Sequence, residues 1–364
     1  MSSHEFADLV TSLDQLKSNG FAGGAALCTL VRTNGSVFRR AGTRMLVHGD
    51  GRIVRGISAG CPEADIVQRA REVITAGEAK LLQYDREHGY DALMELGCGG
   101  EMEVLLEPLK SANDLRFADA AAHCLKERTQ GTLMTVFASE GRCMPQPRRL
   151  LWSERLVLDE LNNPRSADAV LSQALSGTAS STTARLDEVS TRDGRVQVLV
   201  ERLEAPIRLV LIGINTTTIC LANMARGLGW SVQLIDHRDD TPVSAIPDGV
   251  SLLCANATKL EKLLRFDTRT AVLIMTHNLE RDLEYLHVLR SQPLLYLGAV
   301  GSRTRAEKMR SAIGSTRTPL CAPAGLDIGS ETPEEIALSI AAEIQSAVHG
   351  RKGERLSIGA GPIH

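Results

Sequence analysis

Two cysteines in this chain stand where a thiol can do chemistry. Cys61 closes the run Ser58-Ala59-Gly60-Cys61 and precedes Pro62 and Glu63, a proline and an acid that mark a helix start. A thiol there feels unpaired N–H groups and the positive end of the helix dipole, and both favour thiolate. Thiolates bind soft metals and exchange sulfur. Pro62 removes one N–H and weakens the effect slightly. Cys98 sits in Gly97-Cys98-Gly99-Gly100. Its glycines let backbone N–H groups turn toward an anion or a planar ligand, and they leave the sulfur open. The plain alternatives are a buried cap cysteine and a tight turn. Two glycine-flanked cysteines in one domain favour function.

Arg39, Arg40 and Arg44 lie beside a glycine-rich turn in the segment from Asn34 to Arg44. Guanidinium forks match phosphate geometry, so this loop is a candidate grip on a phosphorylated ligand. The alternative is a solvated charge run. Further on, the apolar run RLVLIG ends at Gly213 and is followed by Ile214-Asn215-Thr216-Thr217-Thr218. This is the place of a G-x-G-x-x-G loop between strand and helix, but only the first glycine is kept. Asn215 adds a side chain where a pyrophosphate approaches, and Thr218 replaces the glycine that permits close helix packing. Asp236, at the end of the next apolar run, has the spacing of a ribose-binding acid. The pattern supports the dinucleotide-binding fold more than the dinucleotide, although the threonine hydroxyls can meet a phosphate at a helix N-terminus. Met275-Thr276-His277-Asn278 and Gly298-Ala299-Val300-Gly301-Ser302-Arg303 end later runs. In open α/β sheets ligands sit at the carboxyl ends of strands, so His277 and Arg303 are candidates to face one crevice. A lone histidine is otherwise more often structural.

The elements that must hold these residues follow from periodicity. Phe6, Leu9, Val10, Leu13 and Leu16 predict a helix stopped at Asn19-Gly20. Strands are expected at Ala25 to Val31, Thr43 to Val47 and Arg52 to Ile57, with Gly49-Asp50-Gly51 as the turn between the last two. Ile66, Val67, Ala70, Val73 and Ile74 give the helix after Pro62 one apolar face. A helix near 113–128, strands from 131, a polar helix and loop over 161–183, and a hairpin turning at Asp193-Gly194 complete the first half. From Ile207 the apolar runs RLVLIG, SVQLID, VSLLCA, AVLIMT and PLLYLG alternate with helical segments, which predicts a parallel sheet with crossover helices. Thr332, Pro333 and Glu335 open a last helix with a capping box. The fold class expected is α/β: an N-terminal mixed α+β domain over 1–204, a C-terminal Rossmann-like doubly wound domain over 205–350, and a tail over 351–364.

The chain has 364 residues, 43% hydrophobic and 23% charged, with a net charge of −3. That profile fits a soluble protein with no pull toward nucleic acid or an anionic membrane. Aromatics are 3%, which argues against base-stacking platforms. MSSHEFADLV lacks a basic region followed by an apolar stretch, so a cytoplasmic protein with reduced thiols is expected. Eight cysteines form no CxxC pair or zinc spacing. Cys28, Cys220 and Cys254 sit in apolar stretches and read as core fillers.

Taken in order, these motifs resemble the XdhC/CoxI family. The resemblance is carried by GSVFRRAGTRMLVHGDGRIVRGISAGCPEADIV and GCGGEMEVLLEP, then by MTHN, YLGAVGSRTR and PAGLDIGSETPEEIALSIAAEI. The last, with Gly325-Leu326-Asp327-Ile328-Gly329, is the most specific. The resemblance implies an accessory maturation factor rather than an enzyme. Such factors bind molybdenum cofactor, as molybdopterin or its dinucleotide form, and protect it. They assist its insertion into enzymes of the xanthine dehydrogenase and aldehyde oxidase class. It also implies a link to sulfuration by a cysteine desulfurase, and a homodimer. The family's cysteine loops correspond to Ser58, Gly60, Cys61 and Glu63, and to Cys98, Gly99 and Gly100, with both sulfurs as candidate molybdenum contacts. Arg39, Arg40 and Arg44 would neutralise the pterin phosphate or its nucleotide extension. In the second half the corresponding candidates are Gly213, Asp236, His277, Asn278, Gly301, Ser302, Arg303 and Asp327. The sequence departs from the family at Ile214, Asn215 and Thr216, where a glycine-alanine-glycine-histidine turn is usual, which argues against a nucleotide there. It departs again at Phe38, which replaces a proline. The competing expectations are an NAD(P)-dependent oxidoreductase and a docking module with structural thiols.

Overall fold

A computed structural model of the chain describes residues 3–35, 37–57, 61–85, 100–176, 184–238 and 246–358, with the side chains of Ser3 and Cys61 outside the description. The chain divides into two compact units, Met1–Ala205 and Pro206–His364.

The first unit opens with α1 (Ser3–Ser18), whose Phe6, Leu9, Leu13 and Leu16 are buried on one face. There follow β1 (Ala25–Asn34), β2 (Arg44–His48), β3 (Ile53–Val54), α2 (Cys61–Ala76), β4 (Lys80–Tyr84) and β5 (Glu101–Leu109). These strands form a sheet in the order β3-β2-β1-β5-β4. Next come α3 (Arg116–Lys126), β6 (Gly131–Ser139), β7 (Arg142–Ser153), β8 (Arg155–Asp159), α4 (Pro164–Ser176), β9 (Ala184–Thr191) and β10 (Gly194–Leu203). Their strands form a second sheet, β8-β7-β6-β10-β9. Each sheet has its own outer helix. Ile66, Ala70 and Val73 of α2 cover Cys28, Leu30, Met45, Val104 and Leu106. Ala167, Val170 and Ala174 of α4 cover Met134, Val136, Leu150, Val198 and Val200. A third core joins α1 and α3 to both sheets through Leu27, Leu46, Leu133 and Leu151. Strand β1 is therefore covered on both faces, which explains its unbroken apolar run.

The spacing expectations differ from the structure in detail. Pairing over Arg52 to Ile57 shrinks to Ile53 and Val54 against Val47 and Leu46, because this edge strand ends where Arg55 turns to φ +62°. The helix expected near 113–128 starts at Arg116. A 3-10 turn, Ala112–Leu115, precedes it, and the Asp114 carboxylate accepts from the Lys110 and Ser111 N–H groups.

The second unit is β11 (Arg208–Ile212), α5 (Thr216–Gly227), β12 (Ser231–Asp236), β13 (Ser251–Cys254), α6 (Ala257–Leu263), β14 (Thr270–Ile274), α7 (Leu279–Leu289), β15 (Tyr296–Ala299), α8 (Arg303–Ile313), β16 (Leu320–Cys321) and α9 (Pro333–Val348). Its sheet runs β13-β12-β11-β14-β15-β16 with every pairing parallel. This is a Rossmann-like domain, and the order reverses direction between β11 and β14. Leu221 and Ala225 of α5 and Ile340 and Ile344 of α9 cover one face. Leu260, Tyr285, Leu286, Leu289 and Met309 of α6, α7 and α8 cover the other. The capping box of α9 forms as the spacing predicts, with the Glu335 carboxylate accepting from the Thr332 N–H at 2.9 Å. Among the described residues no helix is long and apolar enough to cross a membrane.

Candidate functional site

Helix α2 starts at Cys61, with Pro62 buried behind it and Glu63 in the first turn. The helix is pinned to the sheet near that end: Tyr84, last residue of β4, donates its hydroxyl to Asp65 at 2.7 Å. Burial and the Asp65 carboxylate push the Tyr84 phenol up, so it stays a donor. Tyr84 is also paired with Met102 of β5. Tyr84, the last residue of β4, is thus held by a residue one helical turn from Cys61, and Gly100, just before β5, is buried. Ser58, Gly60, Cys98, Gly99 and the Cys61 side chain lie outside the described residues.

The three arginines part company. Arg40 is exposed, and Arg39 is half-buried against Glu5 of α1. Arg44 is not available to a phosphate: the first residue of β2, it is 1% exposed and forks onto Glu201 of β10 at 2.7 and 2.5 Å. Strand alternation turns its side chain inward, toward the second sheet, and burial without Glu201 would be prohibitive.

In the second unit the carboxyl ends of β11, β12, β14 and β15 bring together most of the expected residues. Gly213 leaves β11 at φ +97°, where a β-carbon would lie 2.7 Å from the Met275 carbonyl oxygen. Only glycine fits that approach. Asn215 caps α5, its Oδ1 accepting from the Thr218 N–H at 3.0 Å while its Nδ2 donates to the Met275 carbonyl at 3.2 Å. Its Nδ2 also lies 3.3 Å from His277 Nε2. The carboxamide therefore fills the head of the helix where a phosphate would sit. Asp236 does not reach toward a ribose either. It is buried, and its carboxylate accepts from the Arg238 N–H at 3.1 Å and from the Arg238 guanidinium at 3.0 Å. His237 Nδ1 lies 2.9 Å away from it. His277 is exposed in a left-handed conformation, φ +60°. Asn278 caps α7 and Ser302 caps α8, each accepting from a backbone N–H of its own helix. Gly301 and Arg303 flank that second cap, and Arg303 is exposed. Asp327 is exposed on a loop held from below, where the Glu343 carboxylate accepts from Gly325 N–H at 2.7 Å and from the Tyr296 hydroxyl at 2.5 Å.

Sequence reasoning missed the group that organises this edge. Asp282 is fully buried and accepts from Thr276 and, at 2.5 Å, from Arg305 Nη2. Arg305 Nη1 lies 3.4 Å from the His277 carbonyl. It is Arg305, not Arg303, that reaches His277. The signal was present: Asp282, Tyr285, Leu286 and Leu289 share the buried stripe of α7, and an acid on an apolar stripe needs a partner.

The family model for the XdhC and CoxI family matches residues 22–85, and that for the XdhC Rossmann domain matches residues 209–344. Together they span more than half of the chain, one in each unit. The chain belongs to the XdhC and CoxI family. It is similar along its length to a Bacillus subtilis protein named as a probable xanthine dehydrogenase subunit, 29% identical over 88% of this chain and 92% of that protein. It is similar also to the "Molybdenum cofactor insertion chaperone PaoD" of Escherichia coli, 26% identical over 89% of this chain and 83% of that one. A crystal structure of a xanthine dehydrogenase from Bacillus halodurans shares the fold, with a TM-score of 0.76 and 23% identity over 99% of this chain and 98% of that one.

This XdhC and CoxI family member holds its other thiols in unlike surroundings. Cys28 is a core filler, as expected. Cys220 and Cys254 are not. Cys220 is half-buried on α5 with its thiol 3.5 Å from Glu334, and Cys254 is exposed at the end of edge strand β13. Apolar neighbours in sequence do not bury a residue at a strand's last position. Among the described residues no group of three or more His, Cys, Asp or Glu is placed to hold a metal ion.

Proposed function

We propose that this chain is a molybdenum cofactor chaperone. It binds the cofactor, as molybdopterin or its dinucleotide form, and protects it. It then supports sulfuration together with a cysteine desulfurase and passes the cofactor to a xanthine dehydrogenase or aldehyde oxidase-type molybdoenzyme. In this reading it works in the cytoplasm as a homodimer, and it is not itself an enzyme. Similarity along the chain to a molybdenum cofactor insertion chaperone supports it. The observation that carries it is the Tyr84–Asp65 bond, which ties the start of the Cys98 connection to the helix that begins at Cys61. Cys61 and Cys98 then offer soft sulfur to molybdenum or relay sulfur to it. Arg40, which is exposed, is left to meet the pterin phosphate, and Arg39 would join it by leaving Glu5. The Rossmann-like unit is not read as a nicotinamide site, because Asn215 and Arg238 already occupy the groups a dinucleotide would need.

The test is retention. The purified chain is mixed with molybdenum cofactor and desalted, and bound molybdenum is measured. Wild type retains it, and the Cys61→Ala, Cys98→Ala double variant loses it. No retention by wild type removes the chaperone reading; equal retention by the double variant removes the cysteine assignment. Tight calorimetric binding of NAD(P)(H) would instead support an oxidoreductase.

A further inference from the structure

The first unit is built twice. The elements α1-β1-β2-β3-α2-β4-β5 and α3-β6-β7-β8-α4-β9-β10 follow one order, and the two sheets share one strand arrangement. The match extends to single residues. Thr29 lies opposite Arg44 in one sheet, and Thr135 opposite Arg149 in the other. Leu27 faces Glu107, and Leu133 faces Glu201. The ladder skips Val31 between β1 and β5, and it skips Phe137 at the corresponding point between β6 and β10. A bulge at one register position in both sheets is a specific feature, since bulges re-aim a strand locally. Each leading helix carries Phe-Ala-Asp, at Phe6 and at Phe117. Each phenylalanine lies under the arginine of its own half, 5.9 Å for Arg44 and 4.1 Å for Arg149.

The halves also meet reciprocally. Arg44 of the first forks onto Glu201 of the second, and Arg149 of the second reaches Glu107 of the first at 2.6 and 2.7 Å. All four side chains are almost fully buried. The apolar cluster beside them draws on equivalent positions of the two halves: Val31 and Phe137, Leu105 and Leu199, with Leu81 and Leu186 packed against it. A surface on which residue i contacts j and j contacts i is what a two-fold dimer makes.

We propose that Met1–Ala205 is a fused pseudo-dimer: two copies of one module, Ser3–Leu109 and Arg116–Leu203, joined through an interaction surface whose fitting partner is a second copy of that module. Arg44, Glu107, Arg149 and Glu201 are its reciprocal latches. The copies have diverged in their connections. Residues 85–100 link β4 to β5, whereas Arg192 and Asp193 alone link β9 to β10. In the second copy the Asp193 carboxylate accepts from Asn163 Nδ2 at 2.8 Å and Ser166 Oγ at 3.0 Å, closing the start of α4.

The experiment uses the full chain with a specific protease site inserted between Ala112 and Asn113, both exposed in the link between the copies. After cutting, the fragments co-elute on native size exclusion and part only in denaturant. Arg44→Glu weakens the association of the cut fragments by at least about a hundredfold, because two carboxylates then meet in a buried seam. Adding Glu201→Arg restores it. Arg149→Glu and its rescue by Glu107→Arg behave alike. Separation of the unsubstituted cut fragments in native buffer overturns the proposal, and so does an effect confined to one pair. If an uncut single variant fails to fold by circular dichroism, its charge-swapped partner decides: recovery of the fold supports the proposal and failure to recover it overturns it.

Discussion

Cys143 and Cys254 differ in what surrounds the sulfur, and that difference sets their reactivity. Burial, and then the nearby Glu107 charge, push the Cys143 thiol up to about 11. Burial, and then Glu343, do the same for Cys321, also to about 11. Cys28, sealed in the first core, is pushed up further still. Cys254 is exposed. Thiolate is the reacting form, and a raised value means less of it at neutral pH. With iodoacetamide at pH 8 and peptide mass spectrometry, Cys254 is expected to label readily, Cys143 and Cys321 slowly, and Cys28 only on unfolding. Between pH 8 and 10 the labelling rates of Cys143 and Cys321 should climb about tenfold per pH unit. Labelling of either at pH 8 as fast as Cys254 would contradict the burial described. Residue by residue the sequence was an uneven guide. Its apolar runs identified Cys28 as core. They could not tell Arg44 from Arg40, because a short arginine run beside a glycine turn reads as solvated until strand alternation is known.

Elements were more legible, since periodicity and caps are local signals. The Thr332–Glu335 capping box and the five apolar runs of the Rossmann-like domain stand in the primary structure, and so does the hairpin, although its turn falls on Arg192-Asp193, one residue before the expected Asp193-Gly194. The turn after β11 was legible in what it lacks, a second glycine, but not in what it does instead. Asn215 holds the head of α5, and Gly213 lets β11 pass close to the backbone of β14. Loss of the cap in Asn215→Ala should cost about 1 kcal/mol. Gly213→Ala combines a positive φ with a backbone collision and should cost at least about 2 kcal/mol. Urea denaturation ranks the two, and a Gly213→Ala variant as stable as wild type would mean that the turn is not held as described. The buried Asp282–Arg305 pair escaped the reading for another reason. Its partners come from different helices, and only the fold brings them into one network.

At the scale of the whole molecule the alternation of strand and helix after Ile207 was enough to predict a parallel doubly wound sheet, because crossover connections leave few other solutions. The repetition in the first unit was not. Its copies share little beyond Phe-Ala-Asp and a Leu-x-Thr stretch in letters, at Leu27 and Leu133. Their likeness is written in registers, a bulge and two reciprocal ion pairs, none of which is a sequence pattern. Divergence of one copy also fixes a ratio. Only the first copy has both a cysteine at the head of its outer helix and a long link between its last two strands; the second replaces them with Pro164 and a two-residue turn. If the chaperone reading holds, each polypeptide carries a single load despite its doubled frame. Elemental analysis of saturated protein should give one molybdenum per polypeptide, and a value near two would mean that the shorter-linked copy has kept a berth of its own.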